Sequence, residues 1–491
     1  MSNPNFSRRK FVTRAGSVTA AGAFLAACGG GETTTSTEVA GATETPTTAA
    51  TDTSGAATVS TGTIEKPNLT FGFIKLTDMA PLAIALENGY FLEEGLNVTL
   101  EAQANWRVLL DGVIGGALDG AHMLAGQPLA ATIGYGTAAS LIAPLSLDLN
   151  GNGITVSNEV WDIIRPGLAE NSDGNPEHPI SASVLRTAID DFAGAGKQFN
   201  MGMVFPVSTH NYELRYWLAA GGIGPGFYTP GDAVGTTSAE VPLSVTPPPQ
   251  MPATMEAGTI DGYCVGEPWN QAAVFQNIGV PIATDQHVKT SNPEKVFGLR
   301  EDFAEQNPNT TRALLRALIR AQQWLDADDN ANREAAVDIL AQSQYVGADR
   351  EVIAASMTGV FTFEQGDTRL APDFNIFFRD FAGYPYYSDA IWYLSQMRRW
   401  GQIDVDQTDE WYIEQANACY RPDLYLEAAT DLVDAGTISA DDVPETDGFR
   451  GVEEDFIDAL PFDGTTPNAY LESMPIGLKE GQTVSASGVD G

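Results

Sequence analysis

The chain has 491 residues and a formal net charge of −38, from 64 acidic and 26 basic residues. Because a surface of this sign repels phosphate groups, the charge argues against nucleic acids and anionic lipid headgroups as partners. Three cysteines are too few for a disulfide scaffold, and pairing of Cys264 with Cys419 would depend on the fold.

The first 27 residues have the features of an export signal. Paired arginines in "SRRKFV" (7–12) precede a weakly apolar stretch that ends in "LAAC" at Cys28. The apolar part is too short to span a bilayer, and the pattern resembles a twin-arginine signal followed by a bacterial lipobox. We therefore predict cleavage before Cys28 and a diacylglyceryl group on its sulfur, which would hold the protein on the outer face of the membrane.

Two further segments are predicted to lie outside the folded body. Residues 28–66 are mostly Thr, Ala, Gly, Ser and Glu, so they bury too little apolar surface to offset chain entropy. We expect them to form a disordered tether, and we expect residues 479–491 to form a flexible tail.

The body alternates between strand-like and helix-like runs. A first strand, Leu69–Leu76, is followed by a helix over Ala80–Phe91 that breaks at Asn88–Gly89, and then by a second strand, Leu96–Ala102. This alternation predicts an α/β fold with a largely parallel sheet. The pattern continues with strands near 198–206, 242–246 and 261–266 and with helices that end at Ala220 and Ala257.

A long amphipathic helix is predicted for "NPNTTRALLRALIRAQQWLDA" (307–327), with Asn309 as its cap. Its apolar residues recur at helical spacing, which indicates one face turned toward a core. Beyond about Asp326 we expect the chain to be mostly helical as far as about Leu432.

The sequence contains none of the common enzyme motifs. It has no GxGxxG after a strand, no GxxxxGK[ST], no CxxC and no HExxH. Cys264 and His210 could be imagined as a nucleophile and its base. The apolar context "GYCVG" favours a buried cysteine that acts as a small hydrophobic residue, so we predict that the chain is not an enzyme and needs no cofactor.

The segment "FPVSTHNYELRYWLAAGGIG" (205–224) joins a strand-like run to a helix. Ser208 or Thr209 can serve as N-cap, which places His210 in the first turn. Free backbone N–H groups at a helix start favour an anion, and a histidine adds one more donor. Alone, this pattern favours a surface histidine beside a cap over an anion site.

Further motifs follow in order: "PPPQM" (247–251), "DGYCVGEPWN" (261–270) and "NPEKVFGLR" (292–300). With the segment at 205–224 they resemble the nitrate- and bicarbonate-binding lipoproteins of bacterial ABC importers, from about Pro67 to about Leu478. The resemblance implies two α/β lobes of the type II periplasmic-binding-protein fold, with a hinge and a ligand cleft. Lobe 1 would comprise 67–152 and 290–478, including a largely helical C-terminal extension, and lobe 2 would comprise 153–289.

The resemblance also implies a set of ligand residues. Trp106, His210, Gly266 and Lys295 match residues of the nitrate-type branch, and Asn152 is the nearest counterpart of a family glutamine. The glycine would present its backbone N–H, and the lysine would supply the countercharge. In bicarbonate-type relatives the residue that corresponds to Lys295 is acidic and works with calcium, so no metal is predicted here.

These features predict a lipid-anchored, extracytoplasmic receptor that captures nitrate or nitrite. The resemblance implies a monomer that delivers its ligand to an inner-membrane ABC permease powered by a separate ATPase. A calcium-assisted bicarbonate receptor and a sulfonate receptor remain alternatives within the same class. A cytoplasmic nitrate sensor is a further alternative, which the predicted export signal disfavours.

Overall fold

The computed structural model describes residues 62–476. The predicted signal peptide (1–27), the predicted lipidation site Cys28, most of the predicted tether and the predicted tail (479–491) lie outside the described residues. At the end of the tether range, Glu65 and Lys66 contact the body. Glu65 accepts a hydrogen bond from the backbone N–H of Thr310 at 2.9 Å, and Lys66 forms an ion pair with Asp119.

The first part of the body alternates strands and helices, as the sequence predicts. Pro81 lies in the first turn of its helix, where its missing N–H leaves no hydrogen bond unmade. The elements are β1 (Asn68–Phe73), α1 (Ala80–Glu87), α2 (Tyr90–Glu93), β2 (Asn97–Ala102), α3 (Trp106–Ile114), β3 (Gly120–Leu124), α4 (Gly126–Thr132), β4 (Leu141–Ser146) and β5 (Leu149–Asn150).

The middle part continues the alternation and contains α7, the helix predicted to end at Ala220. The strand expected over 198–206 is confined to three residues, because the chain turns at Pro206 ahead of the helix. The elements are β6 (Asn152–Ser157), α5 (Asn158–Ile164), α6 (Leu185–Gly194), β7 (Met201–Met203), α7 (Thr209–Ala220), β8 (Phe227–Thr229), β9 (Asp232–Thr237), β10 (Leu243–Val245), α8 (Met251–Glu256), β11 (Gly262–Gly266), α9 (Trp269–Phe275), β12 (Gly279–Thr284) and α10 (Asp285–Val288).

The last part is rich in helices but includes a hairpin, β14–β15, that the sequence analysis did not predict. Its turn requires Gly366 at a φ of 96°, which glycine adopts without strain. The elements are β13 (Lys295–Arg300), α11 (Glu301–Gln306), α12 (Pro308–Asn330), α13 (Arg333–Leu340), α14 (Arg350–Met357), β14 (Val360–Glu364), β15 (Asp367–Leu370), β16 (Asn375–Ile376), α15 (Tyr387–Arg399), α16 (Asp409–Cys419), α17 (Pro422–Asp434) and α18 (Pro467–Glu472).

The expected cap of the long helix α12 is wrong by two residues. Pro308 occupies the first helical position, so Asn307 precedes the helix. Asn309 lies within the first turn, and its side chain donates to Oε1 of Glu65 at 2.7 Å. The asparagine therefore ties the end of the tether range to the body instead of capping the helix.

Two five-stranded sheets form the centre of the fold. Their strand orders are β2-β1-β3-β13-β4 and β10-β7-β11-β6-β12. The expectation of largely parallel pairing is wrong for half of the pairs, because β13 and β6 run antiparallel to both of their neighbours. The chain reaches β6 from the first sheet through β5, and it reaches β13 from the second sheet through the one-turn helix α10. Neither strand follows the long crossover that joins parallel strands of one sheet.

The C-terminal helices pack against both sheets. One apolar core joins α1, α12 and α17 to the first sheet. Another runs from the second sheet through α7 and α15 to α16, which packs on α4 and β4 beside the first sheet. Trp392 and Trp400 are fully buried in the second core, and burial of each large apolar side chain contributes roughly 1.5–3 kcal/mol. Cys264 and Cys419 are both buried and free, so they do not form the disulfide that the sequence left open.

Candidate functional site

Two chain segments connect the sheets, and they run side by side. The first passes through Asn150 into β6, and the second passes through Asn292 into β13. The backbone N–H of Asn150 donates to the carbonyl of Asn292 at 2.7 Å, and the N–H of Asn292 donates to Oδ1 of Asn150 at 2.9 Å. Asn152 and Lys295, the first residues of β6 and β13, therefore lie at the boundary between the two sheets.

The chain from β16 onward, here called the C-terminal extension, adds a third segment beside these two, because β16 pairs antiparallel with β5. The amide of Asn375 donates to Oδ2 of Asp148 at 2.8 Å. The hydroxyl of Tyr393 on α15 lies 2.7 Å from Oγ1 of Thr209 and also contacts the carbonyl of Pro293. The extension thus contacts both connecting segments and the start of α7.

The start of α7 agrees with the sequence prediction. Ser208 is the N-cap, and its hydroxyl accepts from the N–H of Asn211 at 3.0 Å. His210 lies in the first turn and is fully buried, which rules out the surface position. Its Nε2 is 3.1 Å from Oε1 of Glu294, yet neither ring nitrogen has a hydrogen-bond partner within residues 62–476. Burial lowers the pKa of His210 to about 4, so the ring is neutral at neutral pH.

Lys295 is buried between two carboxylates. Its ammonium is 2.7 Å from Oδ2 of Asp78 and also contacts Oε1 of Glu294. Burial alone would lower the pKa of Lys295, but the two acids raise it above its ordinary value. The lysine therefore stays charged, and its charge is already shared between two acidic partners.

The sequence analysis did not identify Asp78, His122 or Glu294. Asp78 lies in the 3₁₀ turn after β1, and its Oδ1 is 2.7 Å from Nε2 of His122 on β3. Burial would raise the pKa of Asp78, but Lys295 and His122 hold it well below its ordinary value. Asp78 in "LTDMAPLAIAL" and His122 in "GAHMLAG" are single titratable residues within apolar runs, and that contrast could have indicated buried, partnered groups.

Trp106 begins α3 and packs against the same groups. Its ring centroid lies 5.6 Å from Nζ of Lys295 and 5.4 Å from the ring of His122. The indole Nε1 is buried and has no hydrogen-bond partner in the described part of the chain. A buried indole N–H usually has an acceptor, so this donor is free to contact a ligand.

Gly266 and Asn152 face each other across adjacent strands, at the ends of β11 and β6. A Cβ on Gly266 would lie 3.3 Å from Oδ1 of Asn152 and 3.4 Å from Oδ2 of Asp78, so glycine permits a close approach. The amide nitrogen of Asn152 donates to Oε2 of Glu213 at 3.0 Å, while Oδ1 has no partner among residues 62–476. The amide nitrogen of Asn152 is therefore already hydrogen-bonded to Glu213, and only its oxygen is available to another group in the site.

All five residues that the resemblance implies are buried, and contacts connect them. Lys295 lies over Trp106, and its partners Glu294 and Asp78 link it to the remaining residues. Glu294 contacts the ring of His210, and Asp78 lies beside Gly266, which pairs with Asn152. The fold thus brings the five together, while their role as ligands stays a prediction.

Three more acids are buried near this cluster. Burial raises the pKa of Asp148, Glu213 and Asp285 well above the ordinary range, and acidic neighbours raise that of Glu213 further. Oδ2 of Asp285 accepts from the backbone N–H of Asn152 at 3.0 Å. Within residues 62–476, no group of three or more His, Cys, Asp or Glu side chains is arranged to hold a metal ion.

A cavity of about 600 Å³ borders the elements that carry Trp106 and His210. Arg107 and Leu110 of α3 line one side, and Pro206 and Val207, just before α7, line the other. Gln402, which follows α15, closes part of the wall. The helices described between residues 62 and 476 include none with the length and apolar character needed to cross a membrane.

Comparison with known proteins identifies relatives over most of the chain. The nitrate/nitrite binding protein NrtA of Synechococcus elongatus is 35% identical over 479 residues, which cover 96% of this chain and 98% of that protein. The nitrate import ATP-binding protein NrtC of Synechocystis is 37% identical over 416 residues, or 83% of this chain. The match covers 55% of NrtC, so this chain spans about half the length of that relative.

The crystal structure of the periplasmic nitrate-binding protein NrtA from Synechocystis has a TM-score of 0.73 to this chain at 31% identity. The alignment covers 84% of this chain and all of that structure. The predicted fold class, a two-lobed periplasmic-binding-protein fold, is therefore confirmed. The sequence profile of the NMT1-like family matches residues 62–341, more than half of the chain, and together with these relatives it shows that the chain belongs to the NMT1-like family.

Proposed function

We propose that this chain is an extracytoplasmic receptor that captures nitrate, or nitrite, and delivers it to an ABC importer. The observation that carries the proposal is the near full-length similarity to NrtA nitrate/nitrite binding proteins, combined with a buried site at the sheet boundary. The five ligand residues inferred from the resemblance, Trp106, Asn152, His210, Gly266 and Lys295, all lie in this site.

The chemistry of the site suits a small anion. The indole N–H of Trp106 lacks an acceptor among the described residues, and a neutral His210 has one N–H to donate. Lys295 contributes the positive charge that a buried anion needs. Nitrate has three oxygens in one plane, so donors from the walls of both sheets can contact it together.

An enzymatic role has little support in this geometry. Burial raises the pKa of the Cys264 thiol well above its ordinary value, and its sulfur lies 3.7 Å from Oε2 of Glu213. A nucleophilic cysteine requires the thiolate, which this acidic and apolar environment disfavours. The relatives that match nearly the whole chain are named as binding proteins.

The receptor is expected to act with a membrane permease and a separate ATPase, and the ATP-binding relative NrtC supports such a system. We further propose that the chain is exported through its twin-arginine signal, attached to the membrane through lipid on Cys28, and monomeric. Labelling cells with a radioactive lipid precursor tests the anchor. Label on the parent and none on a Cys28→Ala variant is the expected result, and an unlabelled cytosolic parent would favour a sensor.

Calorimetric titration with nitrate, nitrite and bicarbonate, each with and without calcium, tests the ligand. We expect nitrate to bind without calcium and Lys295→Ala to lower its affinity at least tenfold, since a charged hydrogen bond contributes about 1.5–3 kcal/mol. Retention of affinity within about twofold would remove Lys295 from the proposal. Binding of bicarbonate alone, and only with calcium, would overturn the nitrate assignment.

Lys289→Ala provides a matched control for this titration. Lys289 is also a buried lysine with a carboxylate partner, Glu453 at 2.8 Å, but it contacts none of the five site residues through a hydrogen bond or ion pair described within 62–476. We expect it to lose stability while keeping the nitrate affinity of the folded protein.

A further inference from the structure

Two buried carboxyl groups share the single ammonium of Lys295. Within residues 62–476, Lys295 is the only lysine or arginine within 4 Å of a carboxylate oxygen of Asp78 or Glu294. Both carboxylates contact the same ammonium. A nitrate placed beside this lysine would therefore add a further negative charge to a buried group that has no positive charge to spare, and uncompensated buried charge is strongly unfavourable.

Asp78 and Lys295 form a balanced pair. Asp78 contacts Lys295 on one oxygen and His122 on the other, and these neighbours keep it ionised although burial opposes ionisation. An ionised Glu294 would therefore carry a surplus charge, since Asp78 already balances Lys295. Glu294 is fully buried, its Oε1 contacts both Lys295 and His210, and its Oε2 has no hydrogen-bond partner in the described chain.

The other titratable groups that face Glu294 do not remove this surplus. Burial keeps His122 and His210 neutral by lowering their pKa values. Burial favours the protonated forms of Asp148, Glu213, Asp285, Cys264 and Tyr393, so none of these groups supplies a positive charge or takes up a further proton.

We propose that Glu294 binds a proton when the anion enters, so that the site takes up nitrate together with one H⁺. This inference rests on the proposed nitrate-binding function. Uptake of one anion and one proton leaves the net charge of the buried site unchanged. A protonated Glu294 stays in contact with Lys295 through a neutral oxygen, which frees the lysine charge for nitrate, and its O–H becomes an additional donor.

Glu294→Gln is the informative variant, because glutamine has nearly the shape of a protonated glutamate and cannot ionise. We expect the parent to take up one proton per nitrate and to lose affinity about tenfold per pH unit wherever Glu294 is ionised in the free protein. The Gln variant should bind nitrate with no proton uptake and with an affinity that is flat with pH.

Calorimetric titration of the full chain with nitrate, in buffers of different ionisation enthalpy and from pH 5.5 to 8.5, measures the number of protons directly. Asp148→Asn is the matched control, because it removes a neighbouring buried acid that does not contact Lys295 Nζ or His210 within 4 Å in the described chain. We expect this control to keep an uptake of one proton.

Several outcomes would overturn the inference. Nitrate binding by the parent with no proton uptake, or only with calcium as the accompanying cation, would reject proton coupling but keep nitrate binding. An unchanged uptake in Glu294→Gln would reject the assignment to this residue. If the parent binds no nitrate at any pH, the proposed function itself fails, and the inference fails with it.

Discussion

Lys295 and Arg333 are both buried cations beside acidic side chains, but their surroundings differ. Arg333 donates to Oδ1 of Asp326 at 2.5 Å and to the carbonyls of Leu325 and Asn375 at 2.8 and 2.9 Å. The other oxygen of Asp326 accepts from three successive backbone N–H groups, the first of them that of Phe377. Every polar atom of this arginine and this aspartate therefore has a partner.

The group around Lys295 is incomplete by the same measure. Buried atoms without a hydrogen-bond partner in the described chain include Nε1 of Trp106, both ring nitrogens of His210, Oδ1 of Asn152 and Oε2 of Glu294. Buried polar atoms in folded proteins are almost always paired, and this concentration of unpaired atoms supports the proposed ligand site. The comparison separates a charge pair whose polar atoms are all satisfied within the fold from the one that we propose contacts the anion.

The largest effect on stability is expected at the complete pair. Arg333→Met removes the hydrogen-bonded cation of the buried carboxylate of Asp326 and leaves it with Nε of Arg379 at 3.8 Å, so the free energy of unfolding should fall by about 3 kcal/mol. Chemical denaturation monitored by tryptophan fluorescence measures this loss. A decrease below about 1 kcal/mol would show that the Arg333–Asp326 pair contributes little to the stability of the fold.

Lys295→Met should lower nitrate affinity strongly and stability less than Arg333→Met does. We expect nitrate affinity to fall at least about 30-fold, equivalent to about 2 kcal/mol, because the countercharge is lost. The free energy of unfolding should fall less than in Arg333→Met, since Asp78 keeps its contact with His122 and Glu294 keeps its contact with His210. Titration and denaturation of the same preparation test both parts, and equal stability losses would contradict the distinction.

The group around Lys295 should also lose stability in acid, because it includes the buried neutral ring of His210. The pKa of His210 is lowered to about 4 in the folded protein from an ordinary 6.5, so the unfolded chain binds the proton first. The stability that a neutral His210 provides is complete above pH 6.5 and is lost as the pH falls toward 4, by up to about 1.4 kcal/mol per pH unit. His210→Gln should be less sensitive to acid than the parent across this window, as measured by denaturation at several pH values. Parallel pH profiles for the two proteins would argue against a neutral buried ring.

Trp106→Phe tests a single donor at the incomplete site. The ring is retained and the N–H is removed, so nitrate affinity should fall about fivefold, or about 1 kcal/mol, with little change in stability. Titration with nitrate measures the effect. An unchanged affinity would mean that the indole N–H does not contact the anion.

The smallest effect is expected at the rim. Arg107 is more than half exposed and pairs with Asp111 one helical turn away, so Arg107→Ala should change the free energy of unfolding by less than about 0.5 kcal/mol. The same variant tests the cavity that Arg107 lines, because a slower association rate for nitrate in stopped-flow measurements would place the entrance there. An unchanged association rate would show that nitrate does not enter through the part of the cavity that Arg107 lines.

Local signals in the sequence were sufficient for much of the chain. The Ser208 cap, the break of the first helix at Asn88–Gly89 and the early strands depend on neighbouring residues, and the structure has them where the pattern predicts. The motif around Lys295 likewise placed the chain in its family, because an ordered set of short motifs is a property of the sequence alone.

The tertiary structure decided what those residues contact. Nothing near Lys295 in sequence indicates Asp78, and nothing near His210 indicates Glu294. Asp78 lies in the turn after β1 and His210 in α7, so these contacts form only when distant parts of the chain pack together. The antiparallel direction of β6 and β13 and the partners of Arg333 have the same origin. By itself the sequence determined the local elements and the residues that carry the chemistry, whereas long-range packing decided which charges are balanced and which remain open to a ligand.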